Sequence, residues 1–366
     1  MSFRTLGEES QIGNRNICNM IKQEWKDKGF VDEPIPAGID LKAEIRKLCG
    51  EKNAVILAHY YTEGEIQDVA DFVGDSLALA QQAEKTEADI IVMCGVHFMA
   101  ETNKILCPNK LVLLPDLNAG CSLADSCPAE DLAAFKREHP DYKVVAYVNT
   151  SAAVKALTDI VVTSSNARAV VDSFDKEEKI LFAPDKNLGG YLNAVTGRSM
   201  MLWNGGCHVH EQFSIEKIVE LKATHPEAKV LAHPECKSGV LALADYIGST
   251  ANILKYAQES DAQEFIVATE SGILHEMVKC CPQKTFIPVP PTTGPCACNE
   301  CNYMRLNTLP KLYNCLKYEW PFVELDEAMR ADALRPIERM LELSKNLKFK
   351  KQKMMLKNKE INLMNI

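Results

Sequence analysis

The sequence predicts an α/β fold: three homologous three-layer α/β/α domains whose parallel sheets are arranged around a pseudo-threefold axis. Two observations predict it. The first is internal repetition, which dictates architecture before any single motif does. His59 follows the apolar run Ala54–Ala58, Tyr147 follows Val144–Ala146, and His233 follows Val230–Ala232. Seventeen positions after each stands a hydroxyl, at Ser76, Ser164 and Thr250, and an aspartate precedes each hydroxyl by five, at Asp71, Asp159 and Asp245. Each unit then has a cysteine after a further apolar run: Cys121, Cys207 and one of Cys296, Cys298 and Cys301. The second observation is that short β-branched runs alternate with amphipathic stretches, a pattern that makes parallel strands joined by crossover helices.

In the first unit Ala54–Ala58, Asp71–Gly74, Ile90–Met93 and Leu111–Leu114 read as strands, with helices at Glu65–Ala70, Ser76–Lys85 and His97–Leu106. The second repeats the order with strands at Val144–Val148, Ile160–Thr163, Ile180–Ala183 and Met200–Trp203 and helices at Ala152–Leu157 and Asn166–Phe174. In the third the strands are Lys229–Ala232, Tyr246–Gly248, Phe265–Ala268 and Thr285–Val289, and the helices Gly239–Ala244 and Ala251–Glu259. The expected division is an N-terminal extension at 1–40, repeats at 41–140, 141–226 and 227–310, and a C-terminal helical segment with a basic tail at 311–366. The extension is polar, ends in the breaker-rich stretch Asp32–Gly38, and is assigned no core. Seven lysines between Lys345 and Lys359 read as a solvated helix or frayed end rather than a binding arm.

A chain of 366 residues exceeds what one core usually serves. Its net charge of −9 gives no footprint for nucleic acid, and no apolar run approaches the ~18 residues of a membrane span. No secretory leader is recognisable, so the expected location is the cytoplasm. Fourteen cysteines there argue against a disulfide framework and leave metal binding, catalysis or core packing. Cys49, Cys94, Cys107, Cys280 and Cys315 read as core residues.

The marker residues follow strands, and in open parallel sheets ligands bind beyond the carboxyl ends of the strands. If the three domains meet with those edges inward, nine markers converge on one cavity. Ser76, Ser164 and Thr250 each precede a helical run and read as N-caps. Three helix starts aimed at one cavity would suit a ligand with several negative groups. One thiol from each repeat suggests a shared three-thiolate site. An iron–sulfur cluster of the four-iron kind, held by three cysteines, keeps one iron open as a Lewis acid. His59, Tyr61, Tyr147, Asn149, His210, His233 and Glu235 stand around it, and His and Glu suit proton transfer near neutral pH.

Taken together, Ala58-His59-Tyr60-Tyr61, Gly74-Asp75-Ser76, Gly120-Cys121-Ser122, Tyr147-Val148-Asn149-Thr150-Ser151, Cys207-His208-Val209-His210, His233-Pro234-Glu235, Gly248-Ser249-Thr250 and Cys301 followed by Met304 and Asn307 closely resemble the quinolinate synthase family of bacterial NAD biosynthesis. The resemblance spans roughly residues 50 to 345. It implies a [4Fe–4S] cluster on Cys121, Cys207 and Cys301, and condensation of iminoaspartate with dihydroxyacetone phosphate to quinolinate, phosphate and water. It implies substrate contacts at His59, Ser76, Tyr147, Val148, Asn149, Ser164, His233, Pro234, Glu235 and Thr250, with Tyr61, Glu235 and His233 in catalysis. L-aspartate oxidase, which supplies iminoaspartate, is the implied functional partner; neither nucleic acid nor a membrane is. One departure is Cys296-Ala297-Cys298-Asn299-Glu300-Cys301, where many relatives have two residues between the first two cysteines, which puts a redox disulfide between Cys296 and Cys298 in doubt. The alternative from related chemistry is an open-cluster hydro-lyase acting on a hydroxy acid. A non-enzymatic iron–sulfur sensor or electron carrier would want four protein ligands and no polar cavity.

Overall fold

A computed structural model describes residues 21–292 and 299–364, with side chains described as far as Lys345. The chain order of strands is β1 (Ala54–His59), β2 (Phe72–Gly74), β3 (Ile90–Cys94), β4 (Leu111–Leu113), β5 (Lys143–Tyr147), β6 (Ile160–Val162), β7 (Ile180–Ala183), β8 (Met201–Leu202), β9 (Lys229–Ala232), β10 (Tyr246–Ile247), β11 (Glu264–Ala268) and β12 (Thr285–Pro288). Among the described residues they form three four-stranded parallel sheets of identical order, β2-β1-β3-β4, β6-β5-β7-β8 and β10-β9-β11-β12. Parallel neighbours need a crossover, and helices lie between the strands throughout.

The period of two in each central strand divides its side chains between two apolar layers. In the third sheet Val230, Ala232, Ile266 and Ala268 face one cluster, and Leu231, Phe265 and Val267 face another. In the first, Ile56, Ala58, Val92 and Cys94 face one side and Leu57, Ile91 and Met93 the other. Strands buried on both faces read as unbroken apolar runs, which is why these segments are visible in the sequence.

The repeated aspartates have a structural role. Oδ2 of Asp71, Asp159 and Asp245 accepts the N–H of Ile56, Val144 and Val230 respectively, each at 2.8 Å. The backbone N–H of each aspartate donates to the carbonyl of that same residue, at 3.0, 3.0 and 2.8 Å. One residue therefore satisfies both backbone groups at the start of the repeat's first strand and sets how the second lies beside it.

Several helices fall where no element was assigned, among them Leu41–Lys52, Ala129–Glu138, Lys186–Thr196, Ile215–Thr224 and Ile273–Cys280. In Lys186–Thr196 the pair Gly189-Gly190 weakens the helical signal. A Cβ at Gly189 would lie 2.5 Å from Leu202 Cδ2 and 2.9 Å from Phe182 Cδ1, so close packing of helix on sheet excludes a larger residue. The entry segment also departs from expectation. Gln23–Lys28 is helical, and Trp25 and Val31 are buried against Trp320, so residues 21–40 do carry a small core; residues 1–20 lie outside the described residues. Of the presumed core thiols, Cys49, Cys94, Cys107 and Cys315 are buried, but Cys280 is exposed and its neighbour Cys281 is buried instead. A helix from Glu327 to Met364 packs on the Ala152–Ala156 helix and β6, and reaches the His97–Leu106 helix. It buries Ala333, Ile337, Met340 and Leu341 in the cluster that the first and second sheets share.

Replacing Asp159 by alanine strands the buried Val144 N–H. We expect about 1–3 kcal/mol of lost stability with an unchanged denaturant slope, measured by chemical unfolding. An unfolding midpoint equal to that of the unmodified protein would remove the structural role given to the three aspartates.

Candidate active site

In sheets of order 2-1-3-4 the strand order reverses between the first and third strands, where crossovers leave on opposite faces and a crevice opens at the carboxyl ends. His59, Tyr147 and His233 stand at or just past the ends of β1, β5 and β9, so all three crevices present a ring to the interior. They open into one cavity, whose lining contains all nine markers: His59, Ser76, Cys121, Tyr147, Ser164, Cys207, His233, Thr250 and Cys301. Tyr61, Asn149, His210 and Glu235 line it too. Val148 and Pro234 are buried beside lining residues and are not among them.

The two histidine-ended strands are built alike. His59 Nδ1 accepts the N–H of Tyr61 at 3.2 Å, and His233 Nδ1 accepts that of Glu235 at 3.3 Å. Both rings therefore carry their hydrogen on Nε2; that of His233 lies 3.2 Å from the Ser164 hydroxyl. Tyr61 reaches out of the first repeat to the third, with its hydroxyl 2.7 Å from Thr250 Oγ1 and 2.8 Å from Thr269 Oγ1. Glu235 of the third repeat accepts the Tyr147 hydroxyl of the second at 2.6 Å and lies 3.2 Å from His210 Nδ1. No domain holds a complete set of these groups.

The helix starts sit one step from where capping rules place them. Asp75, not Ser76, caps the Ser76–Lys85 helix by accepting the Ala78 N–H at 2.9 Å. Ser249, not Thr250, caps the next by accepting that of Asn252 at 3.3 Å. The second repeat's helix begins at Ala167, and Ser164 lies in the turn before it. Capping by the preceding residue frees the Ser76 and Thr250 side chains for the cavity.

The three thiols share a local geometry. Backbone N–H groups two and three residues ahead point at each sulfur: Leu123 and Ala124 at Cys121, Val209 and His210 at Cys207, Tyr303 and Met304 at Cys301. Burial pushes Cys121 up to about 12 and raises Cys207 and Cys301 in the same direction. Holding all three as thiolates around one enclosed cavity calls for a metal's positive charge. Gly205 lets this turn come close, because a Cβ there would lie 2.5 Å from the Pro184 carbonyl. Cys207, His210 and Glu235 also bring one ligand atom each within 4.8 Å of one another, so the site has the chemistry of a metal-binding group. Cys296 and Cys298 lie outside the described residues.

Burial holds His59 and His233 neutral, each down to about 3, with the charge of Glu235 only partly opposing. Burial works against ionisation of Glu235, but His210 and the hydrogen bond from the Tyr147 hydroxyl outweigh it and keep a carboxylate there. Burial drives the Tyr61 phenol well above its ordinary value. An ionised carboxylate and a protonated phenol in one enclosed space are a base and an acid.

Reasoning from the repeat missed Glu270, His208, Tyr303 and Thr269. The first three line the cavity, and Thr269 stands behind Tyr61. Glu270, fully buried, accepts the Cys301 N–H and Arg305 Nη2, both at 3.1 Å, and the Gly272 N–H at 2.6 Å. Burial raises it to about 7 against the pull of Arg305. Its position after β11 was the available signal, although no acid follows β3 to echo it.

Neutral burial of His59 and His233 has a consequence for folding. Below the ordinary value of 6.5 the unfolded chain binds protons that the folded chain refuses down to about 3. Stability therefore falls as pH drops through that window, by about 1.4 kcal/mol per pH unit for each ring. Denaturation curves at pH 7 and pH 5 should show this loss, and His59→Gln should reduce its slope. An unchanged slope in that variant would mean that His59 is protonated in the folded protein.

Known proteins match this chain over most of its length. Residues 43–342 match the family described as Quinolinate synthetase A protein. The chain is 61% identical over 307 residues to quinolinate synthase of Chloroherpeton thalassium, covering 84% of this chain and 95% of that one. It is 62% identical over 306 residues to the Nostoc punctiforme enzyme, covering 84% and 94% of the two chains. For Thermosynechococcus vestitus the figures are 59% over 309 residues, with 84% and 97% covered. With a family match over most of its length and a cavity built from all three of its repeats, the chain belongs to the quinolinate synthase family.

Proposed function

We propose that this chain catalyses the quinolinate synthase reaction, condensing iminoaspartate with dihydroxyacetone phosphate to quinolinate, phosphate and water in NAD biosynthesis. The observation that carries this reading is the convergence of three thiols, two hydroxyl-bearing helix starts, the hydroxyl of a turn before a third helix and an acid–base pair on one cavity in a chain of this family. The division into repeats at 41–140, 141–226 and 227–310 belongs to the same proposal, as does a cytoplasmic location. Among the described residues no helix is long and apolar enough to cross a membrane. L-aspartate oxidase is the proposed source of iminoaspartate.

Cys121, Cys207 and Cys301 would hold a [4Fe–4S] cluster. The fit rests on three sulfurs facing one space, each met by backbone N–H groups of the kind that tune cluster sulfurs. Bound there, such a cluster supplies an open iron that acts as a Lewis acid on a substrate oxygen.

The remaining roles fall to the chain itself. The helix start at Ser76, the turn at Ser164 and the helix start at Thr250 would hold the phosphate and carboxylates of the substrates. His59 and His233, neutral with hydrogen on Nε2, donate to substrate oxygens without adding charge; Asn149 orients through an amide whose Oδ1 is buried without a partner. Glu235 Oε1 and Oε2 accept a proton from a substrate carbon or water, and the Tyr61 phenol returns one to a leaving hydroxyl. Val148 and Pro234 would act through their backbone, setting the turns that carry Asn149 and Glu235.

Glu235→Gln should keep a full complement of iron and sulfide while slowing quinolinate formation by about 10²–10⁴-fold, and Cys301→Ser should lose the cluster. Product assay and metal analysis of anaerobically prepared protein check both. Unmodified turnover in cluster-loaded Glu235→Gln would sink the role given to Glu235, and absence of quinolinate from the unmodified protein would sink the reaction.

A further inference from the structure

Eight positions after the ring that ends its first strand, each of the first two repeats has a buried polar side chain that reaches back to the turn before it: Gln67 after His59 and Lys155 after Tyr147. Both are the fourth residue of a helix, Gly64–Val69 and Ala152–Ala156. Gln67 Nε2 donates to the carbonyls of Tyr60 and Thr62 at 3.0 and 2.8 Å. Lys155 Nζ donates to the equivalent pair, to Val148 at 2.9 Å and to Thr150. Between the two carbonyls stands the residue that each turn contributes to the cavity wall, Tyr61 in the first repeat and Asn149 in the second. The third repeat has Leu241 in place of the donor, and the turn that carries Glu235 has Pro234, whose ring fixes φ.

We propose that Lys155 is a positioning residue, which holds the Val148 and Thr150 carbonyls and so fixes the turn that presents the Asn149 amide to the cavity. The proposal rests on the orienting role given to Asn149 above. The Val148 carbonyl also accepts the Thr150 N–H at 2.8 Å, closing a three-residue turn centred on Asn149. One such bond leaves a turn soft; Lys155 adds two that are charge-assisted. Its side chain is fully buried, with Nζ 5.3 Å from the centre of the Phe98 ring, itself part of the cavity wall. Among the described residues no carboxylate forms an ion pair with it. An ammonium stripped of water and of a counter-charge has only these dipoles to replace its hydration, so the carbonyls stay turned toward it. Burial lowers its pKa to about 8, which leaves the charge in place near neutral pH. Because Gln67 does the same work in the first repeat from the same helical position, an amide at 155 would serve the turn, whereas an apolar chain would not.

The test is a mutant cycle on cluster-loaded, full-length protein, read by turnover and by amide hydrogen exchange. Lys155→Met keeps the length and removes the donors. It should lower kcat/KM for quinolinate formation by about 10- to 100-fold and speed exchange at Val148 and Thr150, with iron and sulfide content unchanged. Lys155→Gln, which copies the first repeat, should bring both readings back near those of the unmodified protein. In an Asn149→Ala background, Lys155→Met should cost no further turnover. Unmodified turnover or unmodified exchange in Lys155→Met, losses that add in the cycle, or failure of Lys155→Gln to restore both readings would each overturn the proposal. Should Lys155→Met not fold, Lys155→Gln decides by the same two readings. If the unmodified protein made no quinolinate, the reaction assigned to the cavity would fall, and exchange in the two variants would decide the hold on the turn by itself.

Discussion

Everything in the cavity depends on two helix starts and the turn before a third helix being held together. The Ser165 hydroxyl of the second repeat donates to Asp75 Oδ2 of the first at 2.7 Å and lies 2.8 Å from Ser249 Oγ of the third. Asp75 and Ser249 are themselves the caps of the helices that begin at Ser76 and Thr250. A nearly buried carboxylate needs partners to offset its lost hydration, and Asp75 finds them in its own helix and in the neighbouring repeat. The knot ties capping, a local requirement, to assembly of the repeats. Ser76, Ser164 and Thr250, each adjacent in sequence to a knot residue, inherit their inward direction from it.

The three repeats are not joined by equal means. The first and second share one apolar cluster, which the C-terminal helix also covers, whereas the third has a cluster on each face of its own sheet. It meets the first through Tyr60 and Tyr61 and through polar contacts. Buried Gln67 Nε2 serves the carbonyls of Tyr60, Thr62 and Gly272 at 2.8–3.0 Å. A Cβ at Gly272 would lie 2.8 Å from both Tyr60 O and Tyr61 Cα, so only glycine allows this approach. Polar contacts are directional where apolar ones are not, and here they hold Tyr61, whose hydroxyl lies on the far side of the boundary from its own strand.

How much of this was legible follows from what a repeat can reveal. The nine markers stand out because the same requirement recurs after three equivalent strands, and all nine line the cavity. Thr269 follows β11, but its counterparts after β3 and β7 are Gly95 and Pro184, so nothing in the repetition points to it; Glu270 is echoed by Asp185 after β7 but by Val96 after β3, an incomplete repeat that was passed over. The caps were misplaced by one residue because Asp75 and Ser76, or Ser249 and Thr250, are equally acceptable capping types; only the hydrogen bond decides. Trp25 was passed over because its partner, Trp320, is nearly 300 positions away in sequence. Pattern reading finds what is local or repeated, and these residues are neither.

The cavity wall has one further property. Among the described residues that line it there is no lysine and no arginine. If the cavity takes anions as proposed, its attraction for them comes from main-chain amides at helix ends, and amides are encoded by no particular codon. A mutation can delete an arginine from an ordinary phosphate site in one step; no single base change deletes an N–H, short of introducing proline. Heritable loss of the amides' share of anion binding would therefore come from changes that tilt or shift whole helices.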